Sequence, residues 1–315
     1  MQVRKMTNKA KPIDWSDKDF KELLVYQRKF MWREDTIDKF AAWFKLKPGL
    51  TVVDVGCGLG FLGYTYWDYC GKDGSYIGVD ISFKLLQDAL AASRNWAADG
   101  RAAFINGNSY NLPIADKSVD LAMCQVMMMH LEHPQDALSE MARIVKSGGL
   151  VVCFEPDNLS SQLIKRFWSM PEPTIDEQLL AFNIALIASK GRQKRGRGDS
   201  NIGVKLVHMM AEVGLTDIDA RLDENVWFIE PPYEGEVQQH RLKIAKRNML
   251  DPDQIKFWRD REREDFLAGG GDPEEFERSV AIGDRYRQIA KEQFEKGEYF
   301  GCGSQDMYII KGRKR

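Results

Sequence analysis

The sequence predicts an α/β fold: a parallel sheet covered by helices on both faces, with N-terminal helices before it and a largely helical appendage after it. Three observations carry this. Between residues 51 and 155, short apolar runs alternate with helical patterns, as successive βαβ units require. After Glu155 that rhythm breaks, and two long segments interrupt what remains of it. The 315 residues also exceed the roughly 100–200 of a single domain, so a full core can carry an appendage.

Composition narrows the function classes. Lys and Arg number 45 against 47 Asp and Glu, a net charge of −2, which argues against a dedicated nucleic-acid binder. Cys57, Cys70, Cys124, Cys153 and Cys302 show no C-x-x-C spacing and pair poorly with the four histidines, so neither a disulfide framework nor a metal site is legible. No apolar run approaches the ~18 residues of a membrane span, and MQVRKMTNKAKP has no apolar h-region. The expectation is a cytoplasmic chain with no membrane partner; its oligomeric state stays open.

The elements follow in order. Apolar residues at spacings of three and four, from Phe20 through Leu23, Met31, Ile37 and Phe40 to Phe44, predict a helical segment over Ser16–Leu46 that Pro48-Gly49 stops. Strand Thr51–Val55 leads to a helix from Leu59 to about Tyr69, strand Ser75–Asp80, helix Phe83–Ala98 and strand Ala102–Asn106. Strand Val119–Gln125, helix Gln135–Val145 and strand Leu150–Glu155 complete the series. Beyond Pro156 an apolar helical stretch precedes the basic run KGRQKRGRGD, expected as a solvated mobile loop. A helix over Ile202–Val213, a strand over Asp217–Ile229, a charged helical stretch from Tyr233 to Gly301 and a strand at Asp306–Ile310 end the chain. The expected divisions are therefore 1–47, 48–155, 156–200, 201–230, 231–303 and 304–315.

Val52-Val53-Asp54-Val55-Gly56-Cys57-Gly58-Leu59-Gly60 is the most informative segment, a buried strand opening through a glycine-rich turn into a helix. Such a turn lets backbone approach a ligand and aims helix N-terminal N–H groups at it. A formal G-x-G-x-x-G spans Gly58 to Gly63, but its first glycine lies three residues past the strand end, a poor fit to a dinucleotide loop. Asp54 would also face the doubly negative diphosphate. One carboxylate among backbone donors suits a zwitterion with a sulfonium better.

These residues resemble the class I S-adenosylmethionine-dependent methyltransferases, in particular the small-molecule branch that includes the ubiquinone/menaquinone-biosynthesis type, over about Pro48–Asp157. Four more segments support the resemblance in order. Tyr76-Ile77-Gly78-Val79-Asp80 resembles the second strand, whose terminal acid binds both ribose hydroxyls, with Ile81 beside it. Gly107-Asn108-Ser109 resembles the loop that contacts adenine, with Asn108 where the family has an acid. Val119 to Gln125, followed by Met127-Met128-Met129-His130, resembles the strand whose end faces the methionine moiety and the methyl group. Arg143-Ile144-Val145-Lys146-Ser147-Gly148-Gly149 resembles the turn before the fifth strand. The implied cofactor site is Asp54, Gly56, Cys57, Gly58, Gly60, Asp80, Ile81, Asn108, Ser109 and Gln125.

The resemblance also implies a Rossmann-like sheet in the order 3-2-1-4-5-7-6 with strand 7 antiparallel. Ligands then bind at the carboxyl edge of the strands, where the two insertions are expected to form a cap. Met129, His130, Trp227 and Tyr233 are the expected acceptor-pocket residues, and His130 and Glu155 the candidate bases. The leading expectation is methyl transfer from S-adenosylmethionine to a small or medium organic acceptor. An RNA or protein methyltransferase docking through Lys190–Arg197 and a non-catalytic S-adenosylmethionine-binding protein are the alternatives, with a dinucleotide dehydrogenase more remote.

Overall fold

The structure, a computed structural model, describes residues 14–17, 20–22, 24–25, 33–71, 73–97, 100–163, 166–223, 226–304 and 306–315. In chain order the elements are α1 (Glu34–Trp43), β1 (Thr51–Val55), α2 (Phe61–Cys70), β2 (Ser75–Asp80), α3 (Phe83–Ser93), β3 (Ala102–Asn106), β4 (Val119–Gln125), α4 (Pro134–Ile144) and β5 (Val145–Pro156). Then come α5 (Asn158–Leu163), β6 (Arg166–Trp168), α6 (Ile175–Lys194), α7 (Leu206–Glu212), β7 (Thr216–Leu222) and β8 (Val226–Ile229). The chain ends with α8 (Gly235–Leu250), α9 (Pro252–Gly269), α10 (Pro273–Lys296), β9 (Gly301–Ser304) and β10 (Met307–Arg313). Of the N-terminal segment, Leu23 and Met31 lie outside the described residues.

Of the described residues, those of Pro12–Asp157, Asn201–Asn225 and Met307–Arg315 form one compact unit, and those of Asn158–Ser200 and Val226–Asp306 form a second. The first holds a seven-stranded sheet in the order β3-β2-β1-β4-β5-β10-β7. Strands β1 to β5 pair in parallel, and β10 lies antiparallel to both β5 and β7. This is the sheet order the resemblance implies, with β10 as its seventh strand and β7 as its sixth. Its centre is buried on both faces, so β4 and β5 read as continuous apolar runs.

Side chains alternate between two cores, as period 2 requires. Val53, Val55, Cys124, Leu138, Met141, Met210 and Ile310 meet on one face. Val52, Met123, Phe154 and Ile309 turn to the other, where Phe40 and Phe44 of α1 and Leu62 and Tyr66 of α2 cover them. At the far edge α1 is pinned by Trp43, whose indole donates to Asp219 at 2.8 Å between Arg221 and Lys311, 4.4 and 4.6 Å from its ring.

The second unit is helical with its own three-stranded sheet, β6-β9-β8, antiparallel throughout. Its helix starts are written in the sequence. Thr174 and Glu177 form a capping box, and Asp251 and Asp272 each cap a helix that begins with proline. Gly270 and Gly297 stop α9 and α10 in the left-handed region. The helix α6 packs on α9 where Gly191 faces the backbone of Asp265 and Gly269. A Cβ at Gly191 would stand 1.7 Å from the Asp265 carbonyl oxygen and 2.5 Å from the Gly269 nitrogen. Gly191→Ala should therefore cost about 2 kcal/mol by overpacking, read as a shift of the urea midpoint; an unchanged midpoint would show the helices separate freely.

Two expectations are corrected here. The single strand expected over Asp217–Ile229 is two strands in two sheets: Asp223 N–H closes β7 on the Met307 carbonyl at 2.9 Å, and Trp227 and Phe228 then pair with Gly303 and Cys302. The basic run is not a solvated loop. Its first half continues α6, and Arg195 and Arg197 both ion-pair with the buried Asp265.

Candidate functional site

The site is built where β1 to β4 end. Strand β1 runs into Gly56, Gly58 and Gly60, whose φ angles of +72°, +52° and +77° only glycine adopts without strain. The loop hangs on the next strand: Gly56 and Cys57 N–H groups donate to the Val79 carbonyl at 2.7 and 3.1 Å. A Cβ at Gly56 would meet Met127 Cγ at 2.4 Å, so the β1 and β4 loops close against each other, whereas one at Gly58 would meet nothing within 4 Å. Gly58 is thus the open face of the loop.

Asp80 organises this edge. Its Oδ2 accepts from Gly58 N–H at 2.9 Å and its Oδ1 from Ser82 N–H at 2.7 Å. The cap of α3 is Ser82, whose hydroxyl accepts from Leu85 N–H, so Asp80 is not spent on that helix. A carboxylate has about four lone-pair sites, and the two N–H donors leave room for a vicinal diol. Burial holds the Asp80 carboxyl above the ordinary carboxylate range, opposed by the N–H groups of Ser82 and Gly58. Beside it Ile81 and Phe83 are 77 % and 62 % exposed, an apolar surface suited to a ring. This donor and acceptor set fits S-adenosylmethionine: a carboxylate for the ribose, an open glycine face, and apolar side chains for the adenine.

The other expected residues divide. Asp54 is 2 % exposed and accepts from the Tyr76 hydroxyl at 2.7 Å, an anchor behind the glycine loop. Cys57 is buried; burial first, then Asp54 and Asp80, push its thiol well above the usual value, so it is no nucleophile. Asn108 is exposed, and its Oδ1 accepts from Tyr110 N–H at 3.0 Å within its own loop, next to the half-buried Ser109. Gln125 is buried at the end of β4, in register with Phe154. After it Val126 has φ +53°, a strained value for a β-branched residue, and its N–H donates to the Phe154 carbonyl at 2.8 Å.

Glu155 is corrected from candidate base to anchor. It is 0 % exposed, and its carboxylate accepts from the N–H groups of Met127 and Met128 at 2.8 Å and of Met129 at 3.2 Å. A carboxylate enclosed and engaged in this way holds the turn Met128–His130 in place and does not reach an acceptor. Met129 is buried in that turn, and His130 is half-buried with its ring 5.0 Å from that of Trp15. Trp227 and Tyr233 lie in the second unit, not at a strand end of the seven-stranded sheet. Trp227 packs 5.4 Å from Trp168, and Tyr233, 8 % exposed, donates its hydroxyl to the Tyr299 carbonyl at 2.9 Å. Tyr233 belongs to a core with Ile229, Leu242 and Phe294.

Sequence reasoning missed three residues that shape the edge. Asn106 at the end of β3 donates its amide to the carbonyls of Asp80 and Ile81 at 3.0 and 2.9 Å. Phe104 fills the space that Gly60 and Gly78 leave. Tyr76 holds Asp54, and burial, then that carboxylate, push its phenol well above the usual value. Among the described residues no cluster of His, Cys, Asp or Glu is placed to hold a metal ion, and no helix is long and apolar enough to cross a membrane.

Comparison with known proteins agrees with this geometry. Residues 53–153 match the model of the family described as a methyltransferase domain. The chain is 29 % identical over 133 residues to a demethylmenaquinone methyltransferase of Oceanobacillus iheyensis, covering 42 % of this chain and 54 % of that protein. It is 24 % identical over 206 residues to the enzyme so named in Shouchella clausii, covering 63 % and 83 %. An uncharacterized methyltransferase of Schizosaccharomyces pombe is 35 % identical over 115 residues, 35 % of this chain and 41 % of that one. The chain thus spans about half the length of the first and last of these relatives. Phosphoethanolamine N-methyltransferase 2 of Haemonchus contortus, solved with S-adenosyl-L-methionine, shares the fold at a TM-score of 0.50 and 14 % identity, over 95 % of this chain and 59 % of that one. Residues 53–153 are thus similar to a methyltransferase domain, set in the sheet order that the resemblance to the class I S-adenosylmethionine-dependent methyltransferases implies.

Proposed function

We propose that the protein transfers the methyl group of S-adenosylmethionine to a small or medium organic acceptor in the cytoplasm. The observation that carries this reading is the Asp80 carboxylate, fixed by Gly58 and Ser82 N–H groups beside an open glycine face. Relatives named demethylmenaquinone methyltransferases favour an organic acceptor over a polymer. The arginines of the basic run also turn inward: Arg195 and Arg197 pair with Asp265, so the run is not built as an RNA-docking arm.

When bound, S-adenosylmethionine supplies an electrophilic methyl on a sulfonium, attacked in line opposite the sulfur. The protein's part is positioning and exclusion of water. Asp80 and the glycine loop orient the nucleoside end, while the Met127–Met129 turn, held by Glu155, sets the wall at the end of β4. With Glu155 enclosed, His130 takes the proton of a hydroxyl acceptor in this reading.

His130→Asn should lower kcat about 100-fold with a hydroxyl acceptor, the lower end of what a general base contributes, and leave S-adenosylhomocysteine affinity unchanged. Equal kcat values in both proteins would make His130 a packing partner of Trp15 only. The whole reading is tested by incubating the protein with labelled S-adenosylmethionine and a metabolite extract and identifying labelled products by mass spectrometry. NAD binding by calorimetry without any S-adenosyl affinity would overturn it.

A further inference from the structure

Helix α6 is apolar on two opposite sides, and one of them is covered. At about 100° per residue, Leu180, Ile184, Ile187 and Gly191 fall on one side, where they meet Phe266 and Phe276 and the backbone of α9. The opposite side carries Ile175, Leu179, Phe182 and Leu186, at the spacings of four and three that make a single stripe. Ile175 is 75 % exposed, Leu179 61 % and Phe182 38 %, and Leu186 is half-buried. A helix face turned to water is ordinarily polar, so a continuous stripe of large apolar side chains there marks a surface that another surface covers.

The charges beside the stripe indicate what covers it. Asp176 in the first turn and Lys190 near the other end stand on the same flank, and both are exposed. Lys190 opens the basic run whose Arg195 and Arg197 turn inward to Asp265. Along the helix Asp176 and Lys190 are about 21 Å apart, too far to pair with each other. A two-fold axis perpendicular to α6 beside Phe182 keeps each flank on its own side and exchanges the two ends. Phe182 then meets its own counterpart, Leu179 meets Leu186 of the second copy, and each Asp176 faces Lys190 of the other copy. In the parallel arrangement Asp176 would meet Asp176 and Lys190 would meet Lys190. The face is therefore complementary to itself in the antiparallel sense only.

We propose that α6 is a self-association face, two copies of this chain packing their Ile175–Leu186 stripes antiparallel with an Asp176–Lys190 ion pair at each end. A stripe of this length lies at the small end of interface sizes, so the dimer should form reversibly at micromolar concentrations. The inference rests on the second unit alone and stands whether or not the methyl-transfer reading holds.

The test is analytical ultracentrifugation of the full chain over a range of micromolar concentrations, with thermal unfolding as the check on folding. The chain should show a monomer–dimer equilibrium, and Leu179→Asp should weaken it at least tenfold. Should Leu179→Asp fail to fold, Leu179→Ser removes the same apolar contact and should weaken association in the same direction. Asp176→Lys and Lys190→Asp should each weaken it several-fold, since each places like charges opposite one another. The variant carrying both changes should associate within about threefold of the unaltered chain, and a mixture of the two single variants better than either alone. Both changes run against the helix dipole, so recovery in the double variant reports pairing between copies and not a repaired helix. A monomer at every concentration, a dimer indifferent to the Leu179 variants, or a double variant no better than the singles would overturn the proposal. A monomer that sediments with vesicles of anionic phospholipid would give the stripe to a lipid surface and overturn it as well.

Discussion

Glu155→Ala should lower the stability of the chain by about 4 kcal/mol and remove S-adenosylhomocysteine binding with it. The substitution strips the acceptor from the N–H groups of Met127, Met128 and Met129 in a buried place, and each such donor left unmade costs about 1–3 kcal/mol. The turn they belong to carries Met129 and His130 and presses on Gly56, so the damage reaches the glycine loop. Glu155→Gln keeps one carbonyl oxygen for two of the N–H groups and should lose about half as much. Urea unfolding and calorimetry read both effects. A loss below about 1 kcal/mol in the alanine variant, with binding intact, would show that water replaces the carboxylate at little cost.

Asp80→Ala should weaken S-adenosylhomocysteine binding about 100-fold, close to 3 kcal/mol, the upper range for hydrogen bonds to a charged group. Two contributions combine: the diol loses its acceptor, and Gly58 N–H loses the partner that sets the loop. Unchanged affinity by calorimetry would sink the assignment. Acid should act in the same direction. Because burial raises the Asp80 pKa, its charge is lost at a higher pH than that of an ordinary aspartate, so affinity should start to fall there as pH decreases. The Asp80→Asn variant should lack that pH step.

What was legible in the sequence is what local chemistry dictates. Glycines needing positive φ, an acid ending a strand and apolar runs of five to seven residues stand in the sequence itself, so β1 to β4, the glycine loop and Asp80 were readable. Glu155 was misread because its surroundings come from β4: the N–H groups of residues 127–129 reach it only once β4 and β5 pair. Asn106, Phe104 and Tyr76 act across strands in the same way, and strand neighbours are a property of topology. The strand expected through Ile229 failed for a different reason. Its two halves are separated by their partners, Met307–Arg313 for one and Gly301–Ser304 for the other, and partners more than seventy residues away are not visible in a local pattern. The basic run looked like a loop because charge and glycine usually mark one; its burial depends on Asp265, some seventy residues away.

The last strand, β10, lies inside the sheet rather than at its edge, and this bears on how the protein is made. When a ribosome has finished β5, the apolar edge of Leu150–Phe154 has no neighbour on that side, and its partner Met307–Arg313 is about 150 residues from synthesis. At about 5–20 residues per second, that edge waits roughly 8 to 30 seconds while the whole second unit is translated. An unpaired strand edge of this composition is a template for pairing with other chains. Nascent-chain shielding is therefore a requirement of this topology, and ribosome pausing within residues 158–306 should raise the insoluble fraction more than pausing before Thr51.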